Sequence, residues 1–168
     1  QFKVRLSVEE AVENNVVFIG RGAFATFAGV SNHVSVRVVA DSKIRIERLM
    51  KEKNWSEKQA RARVEESDAN RDGYHKAFYN VDVEDSVNYN MVINTGIYDE
   101  TRAAEIIAAA VKAVIKEEDE KAGMEQIRDM ERAQKIVNKL IFEHKINIEF
   151  MHLSCSLIAL DLLLSIEH

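Results

Sequence analysis

Residues 33–48, HVSVRVVADSKIRIER, hold a strand-to-helix transition within one short stretch. Val34, Val36 and Val38 alternate with Ser35 and Arg37 and run on into Val39 and Ala40, which predicts a strand over 34–40. Asp41 or Ser42 can then accept from a free amide at the start of a helix that carries Ile44, Ile46, Leu49 and Met50. The same alternation extends in both directions. Upstream, Ser7-Val-Glu-Glu10 has capping-box spacing ahead of Val8, Ala11 and Val12, and predicts a helix over 7–14. Val16-Val-Phe-Ile19 is apolar without alternation, as in a strand covered on both faces, and Gly20 ends it. Downstream, Ser56-Glu-Lys-Gln59 is a second capping box, opening a charged helix to about Phe78. An Asp/Glu/Asn-rich loop (80–88) leads to a third strand at Met91–Ile93. Asp99 to about Lys116 is helical again, with Ile106, Ile107, Ala110, Val111 and Val114 on the spacing. Strands that alternate with helices predict an α/β fold, a parallel sheet flanked by helices, because parallel neighbours need crossover connections. Ligands in such sheets bind at the carboxyl ends of the strands, here Gly20-Arg21-Gly22 and Asn94-Thr95-Gly96.

Composition narrows the function. With 168 residues, 46% of them hydrophobic, the chain can bury one main core and a small appendage. A net charge of −5 and a pI near 5.6 give no basic field for nucleic acid, so phosphate binding must be local. One cysteine, Cys155, cannot form an intrachain disulfide, which fits a reducing, cytoplasmic setting. The longest apolar stretch, Leu157–Ile166, contains Asp161 and is too short to span a bilayer. The chain opens at Gln1 rather than methionine and is expected to be part of a longer protein.

Motifs exclude several chemistries. The turn at Gly20 is no dinucleotide fingerprint, because Ala25 stands where the third glycine of G-x-G-x-x-G belongs, and no G-x-x-x-x-G-K-[ST] occurs in the sequence. No two of the five histidines (33, 75, 144, 152, 168) have metal-ligand spacing, so no metal site is proposed from the sequence. There is no G-x-S-x-G elbow, and no residue orients His144 toward Cys155 as a nucleophile pair.

Four segments in order resemble the cytidylate kinase-like branch of the nucleoside monophosphate kinases. They are Val17-Phe-Ile-Gly-Arg-Gly22, His33 through Arg48, Asp68-Ala-Asn-Arg-Asp-Gly-Tyr74, and Tyr89-Asn-Met-Val-Ile-Asn-Thr95. The resemblance covers about residues 5–115 and implies a P-loop kinase core in which ATP, with Mg2+, donates a γ-phosphoryl to a nucleoside monophosphate or a similar small acceptor. It implies that Arg21, framed by Gly20 and Gly22, binds the acceptor phosphate, as a guanidinium fork suits. Gly22 stands where cytidylate kinases have aspartate, which leaves the acceptor unnamed. The helix from Ser56 resembles the lid: Arg71 and Lys76 would close over the transferring group as catalytic cations, and His75 or Arg71 could fill the role of Lys76. Asp68 would hold those cations and Tyr74 would stack or hydrogen-bond. Arg45 and Arg48 resemble the basic stem of that lid, and Thr95-Gly96 the loop bordering the donor adenine, which makes Arg45 and Thr95 cofactor-binding. Without a glycine loop in the sequence, two readings stand: a kinase whose loop lies upstream, or a non-catalytic nucleotide-sensing module whose tail binds a partner or a membrane surface.

The tail reads as a separate module. Lys116–Gly123 is a charge run closed by glycine, which predicts a boundary near residue 120 and so domains at 1–120 and 121–168. A helix over Met124–His144 and two strands follow. This αββ pattern resembles a BON module; if the unit is incomplete, its apolar 157–164 run is exposed and a partner copy could cover it, which predicts a homodimer.

Overall fold

A computed structural model of the chain describes residues 2–13, 15–20 and 22–143, with side chains from Val8 onward. The described part is mostly helical, with one two-stranded parallel sheet, and it divides into two compact units.

The larger unit comprises residues 19–28 and 33–116. Because α1 (Phe2–Glu13) belongs to the other unit, this one begins with the one-turn helix α2 (Ala23–Thr26). Strand β1 (Val36–Val39) follows, then α3 (Ser42–Lys53), α4 (Glu57–Tyr79), a 3-10 turn at Ser86–Asn88, β2 (Met91–Asn94) and α5 (Glu100–Val114). The starts of α3, α4 and α5 are those written in the sequence. Asp41 accepts from the Lys43 amide at the head of α3, and the Ser56–Gln59 box at the head of α4 is closed in both directions. Asn54 and Asn80 end the same two helices at φ 54° and 52°, the left-handed geometry that asparagine tolerates better than most residues. Ile46, Ala60 and Val64 form the core between α3 and α4, flanked by Leu49 and Met50.

β1 and β2 pair in parallel, Val36 opposite Met91 through Val39 opposite Asn94. The pairing is locked at its start by Asn90, whose Oδ1 accepts from both the backbone N–H and the hydroxyl of Ser35 (2.8 and 2.9 Å). At the carboxyl end the Thr95 amide donates to the Val39 carbonyl at 2.8 Å. The fold expectation thus holds for these two strands and the helices that follow them. It fails for residues 16–19, which form no strand: Val17 is 89% and Ile19 97% exposed. Apolar side chains alone do not make a strand; the backbone needs a partner to bond, and among the described residues this run has none in the sheet.

The second unit contains α1, residues 29–32 and α6 (Glu117–Phe142). α1 packs on α6, burying Val8 and Ala11 from one helix and Ile127, Ala133 and Val137 from the other. The sequence placed the start of α1 at residue 7, whereas the helix already runs from Phe2, so the Ser7–Glu10 spacing falls inside it. The charged stretch after Lys116 is the first turn of α6, which begins where the two units divide, between Lys116 and Glu117. Glu117, Glu118, Asp119 and Glu120 sit where the helix dipole favours negative charge. Gly123 lies within α6 beneath residues 29–32, and a Cβ there would overlap the Asn32 amide oxygen and stand 2.7 Å from the Asn32 backbone nitrogen. Gln126 completes that seam by accepting from the Ser31 amide at 2.8 Å. The two strands of the BON-like tail and the dimer expected from it fall on residues 144–168, outside the described residues. Among the described residues no helix is long and apolar enough to cross a membrane.

Candidate functional site

Three arginines from three elements of the larger unit gather around two carboxylates. Asp68, midway along α4, receives Arg45 from the first turns of α3 through two hydrogen bonds, Nη1 to Oδ2 at 2.8 Å and Nη2 to Oδ1 at 2.7 Å. Arg71, one turn on, reaches the same Oδ1 at 3.4 Å and keeps 43% of its side chain exposed. Arg37 of β1 points its guanidinium at the Val83 carbonyl and the Glu84 carboxylate, and lies 5.8 Å above the Tyr89 ring. Electrostatics joins the two groups. The hydrogen bonds from Arg45 hold the Asp68 carboxyl below its ordinary value, with the charges of Arg45, Arg71 and Arg37 adding to the effect. Arg45 is pushed up in return, chiefly by Asp68 and further by Glu84. Burial raises the Tyr89 phenol, against the pull of Arg37 and Arg71. Arg71 has the longest of these hydrogen bonds.

Gly22 is held by packing. Gly22 caps α2 at φ 94°, and a Cβ there would collide with the Tyr79 hydroxyl and stand 2.7 Å from the ring's Cε2 and Cζ. Gly20, at φ 145°, has open space around it. Arg21 between them lies outside the described residues. α2 and the end of α4 share an aromatic stack: Phe24 is 5.3 Å from His75 and 4.7 Å from Tyr89, and His75 is 6.2 Å from Tyr79. His75 is buried, with Nδ1 2.7 Å from the Arg71 carbonyl, where it donates. Tyr74 lies at the edge of this stack, against Phe78, His75 and Tyr79.

Of the residues singled out from the sequence, the structure brings Arg45, Asp68 and Arg71 together. It does not bring Lys76 to them: Lys76 is exposed and pairs with Asp72 at 2.9 Å, which raises the ammonium pKa. Nor do Arg45 and Thr95 meet. Arg48 is the neighbour of Thr95, donating to its hydroxyl at 3.1 Å, and that hydroxyl donates to the Val39 carbonyl at 3.2 Å. Arg61 and Arg63 pair locally with Glu57 and Glu66 on an exposed face. Sequence reasoning missed Arg37, Glu84 and Tyr89. The available signal was Arg37 itself, because an arginine set between strand valines needs a carboxylate or carbonyl partner nearby.

Comparison with known proteins fixes the family. The profile of the cytidylate kinase-like family matches residues 1–97, which contain Arg37, Arg45, Asp68, Arg71, Glu84 and Tyr89. The chain belongs to the cytidylate kinase-like family. A cytidylate kinase of Methanopyrus kandleri is 29% identical over 119 residues, covering 66% of this chain and 62% of the relative. One from Methanocaldococcus jannaschii is 29% identical over 109 residues, covering 64% and 61%. The chain therefore spans a little over three fifths of the length of these relatives. The crystal structure of an uncharacterized protein from Eubacterium ventriosum shares the fold at a TM-score of 0.60 and 23% identity, over 67% of this chain and 62% of that one.

Proposed function

We propose that this chain belongs to a cytidylate kinase-like phosphotransferase with a P-loop kinase core, moving the γ-phosphoryl of ATP to a nucleoside monophosphate or a similar small acceptor. One observation carries the reading: within the family region, Asp68 holds Arg45 by two hydrogen bonds and Arg71 by a longer one, an arginine pair set in advance of any anion. Phosphoryl transfer asks little of the protein beyond positioning and charge neutralisation, so guanidiniums already in place lower the cost of assembling the transition state. In this reading Arg45 stays on Asp68 as an anchor. Arg71 exchanges its 3.4 Å contact for the equatorial oxygens of the transferring group. Arg21 takes the acceptor phosphate, with Gly20 and Gly22 forming its turn, and Tyr74 and Thr95 border the acceptor and the donor.

The guanidinium donors fit phosphate oxygens. They do not extend to Mg2+: among the described residues no three His, Cys, Asp or Glu side chains converge to hold a cation. The sequence holds no G-x-x-x-x-G-K-[ST] motif, so no backbone cradle for the β and γ phosphates of ATP is assigned within it, and Arg71 is the residue given to the transferring γ-phosphoryl.

The test is steady-state turnover of the full-length protein with ATP, Mg2+ and a panel of monophosphates. One acceptor should be preferred. Arg71→Ala should lower kcat by about 10²–10³ with acceptor affinity nearly kept, by the scale of losing one transition-state donor. Arg21→Ala should instead weaken acceptor binding. Nucleotide binding without turnover on any acceptor would replace this reading with the nucleotide-sensing one.

A further inference from the structure

The Gly22–Tyr79 contact has no part in the scheme above. Position 22 admits only glycine on two counts: its φ is 94°, and the Tyr79 phenol occupies the volume a Cβ would need. The phenol is fixed there. Its hydroxyl lies 3.3 Å from the Thr26 hydroxyl, and its ring packs against His75 and the edge of Tyr74. His75 in turn bonds the Arg71 carbonyl and stacks on Phe24 of α2. A continuous path of packed atoms thus runs from the Gly22 backbone through Tyr79 and His75 to the turn of α4 that carries Arg71. α2 is a single turn, too short to hold its own position, so its place is set by this packing.

We propose that Tyr79 is a positioning residue: its phenol seats Gly22 and the head of α2 on α4, so that this end of α2 and the Arg71 segment move as one body. The functional half of the inference rests on the phosphotransferase reading, in which the stretch at Gly22 serves the acceptor and Arg71 serves the transferring group. The structural half does not.

Two measurements separate the halves. In the nucleotide-free protein, hydrogen exchange at the Thr26 and Phe27 amides, which bond Gly22 and Ala23 carbonyls at 2.8 and 2.9 Å, reports the seating directly. Tyr79→Ala should speed exchange there at least tenfold and leave the Ala60 amide of the α4 cap unchanged. Tyr79→Phe, which keeps the ring and loses only the Thr26 contact, should stay within about threefold of the parent. In turnover assays, Tyr79→Ala should raise the acceptor KM about tenfold and leave the ATP KM unchanged, and Tyr79→Phe should restore it. Equal exchange in Tyr79→Ala and parent would overturn the seating, whatever the enzymology shows. Faster exchange with an unchanged acceptor KM would overturn the functional half while the phosphotransferase reading stood. Should Tyr79→Ala not fold, Gly22→Ala, which drives a methyl into the same phenol, must give the same exchange pattern or the proposal fails.

Discussion

Asp68 and Asp72 stand one turn apart on α4, and each takes a cation, yet the two pairs do different work. Asp72 holds Lys76 on the same helix, at i and i+4, with both groups well exposed. Asp68 reaches across to α3 for Arg45 and draws in Arg71 from its own helix, with Arg45 only 28% exposed. A pair of the first kind supports its own helix a little and is screened by solvent. A pair of the second kind fixes one helix against another and loses more when broken, because the remaining partner is left part-buried and unanswered. In the sequence Arg71 and Lys76 are both cations on one charged helix, Lys76 the more replaceable of the two; tertiary contact separates them by partner.

The contrast is most exposed to Asp68→Ala. Removing that carboxylate frees Arg71 and strands Arg45, so turnover should fall at least tenfold, and stability to urea should drop by about 1 kcal/mol once solvent screening is allowed for. Parent-like turnover in this variant would place the cluster outside the chemistry. Acidification asks the same question without a mutation. Asp68 is held below its unfolded value of about 3.9, so its share of stability is complete above that pH and is lost as the pH falls through the lower folded value. Urea midpoints between pH 5 and pH 2 should fall more steeply in the parent than in Asp68→Asn; parallel curves would show that the pair carries no linkage. Lys76→Ala should do least. Its urea midpoint should match the parent and its turnover should stay within a factor of two, and a loss comparable to that of Arg71→Ala would return Lys76 to the catalytic machinery.

Much of the larger unit was readable because its signals are local. The Ser56–Gln59 box, the asparagines after α3 and α4, and the valine alternation of β1 each act within a few residues, and the structure carries all of them. What escaped was non-local. Val16–Ile19 has strand composition, but no stretch can show whether a neighbour will come to pair with it. The Lys116–Gly123 run reads as a boundary from its charges and glycine, and what they do not show is that it opens a long helix. Whether this glycine breaks the helix or admits a neighbour depends on residues 29–32, more than ninety positions away. At the site, Asp68 and the two arginines could be marked from the family pattern, whereas Arg37, Glu84 and Tyr89 join them only through the fold. The absence of aspartate at position 22 was visible, but its steric cause, Tyr79, was not.

The Ser35–Asn90 lock has a kinetic corollary. It joins residues 55 apart, across α3 and α4, while the Arg45–Asp68 pair within that crossover spans only 23. Closing the longer loop first would spend chain entropy before any contact rewarded it, so the helical hairpin should assemble early and the parallel strands should zip last. In stopped-flow chevrons, Ser56→Ala should then slow refolding, whereas Asn90→Ala should leave the refolding limb in place and accelerate unfolding. On that order of events, β1 and β2 are the last part of this unit to close and the first to open.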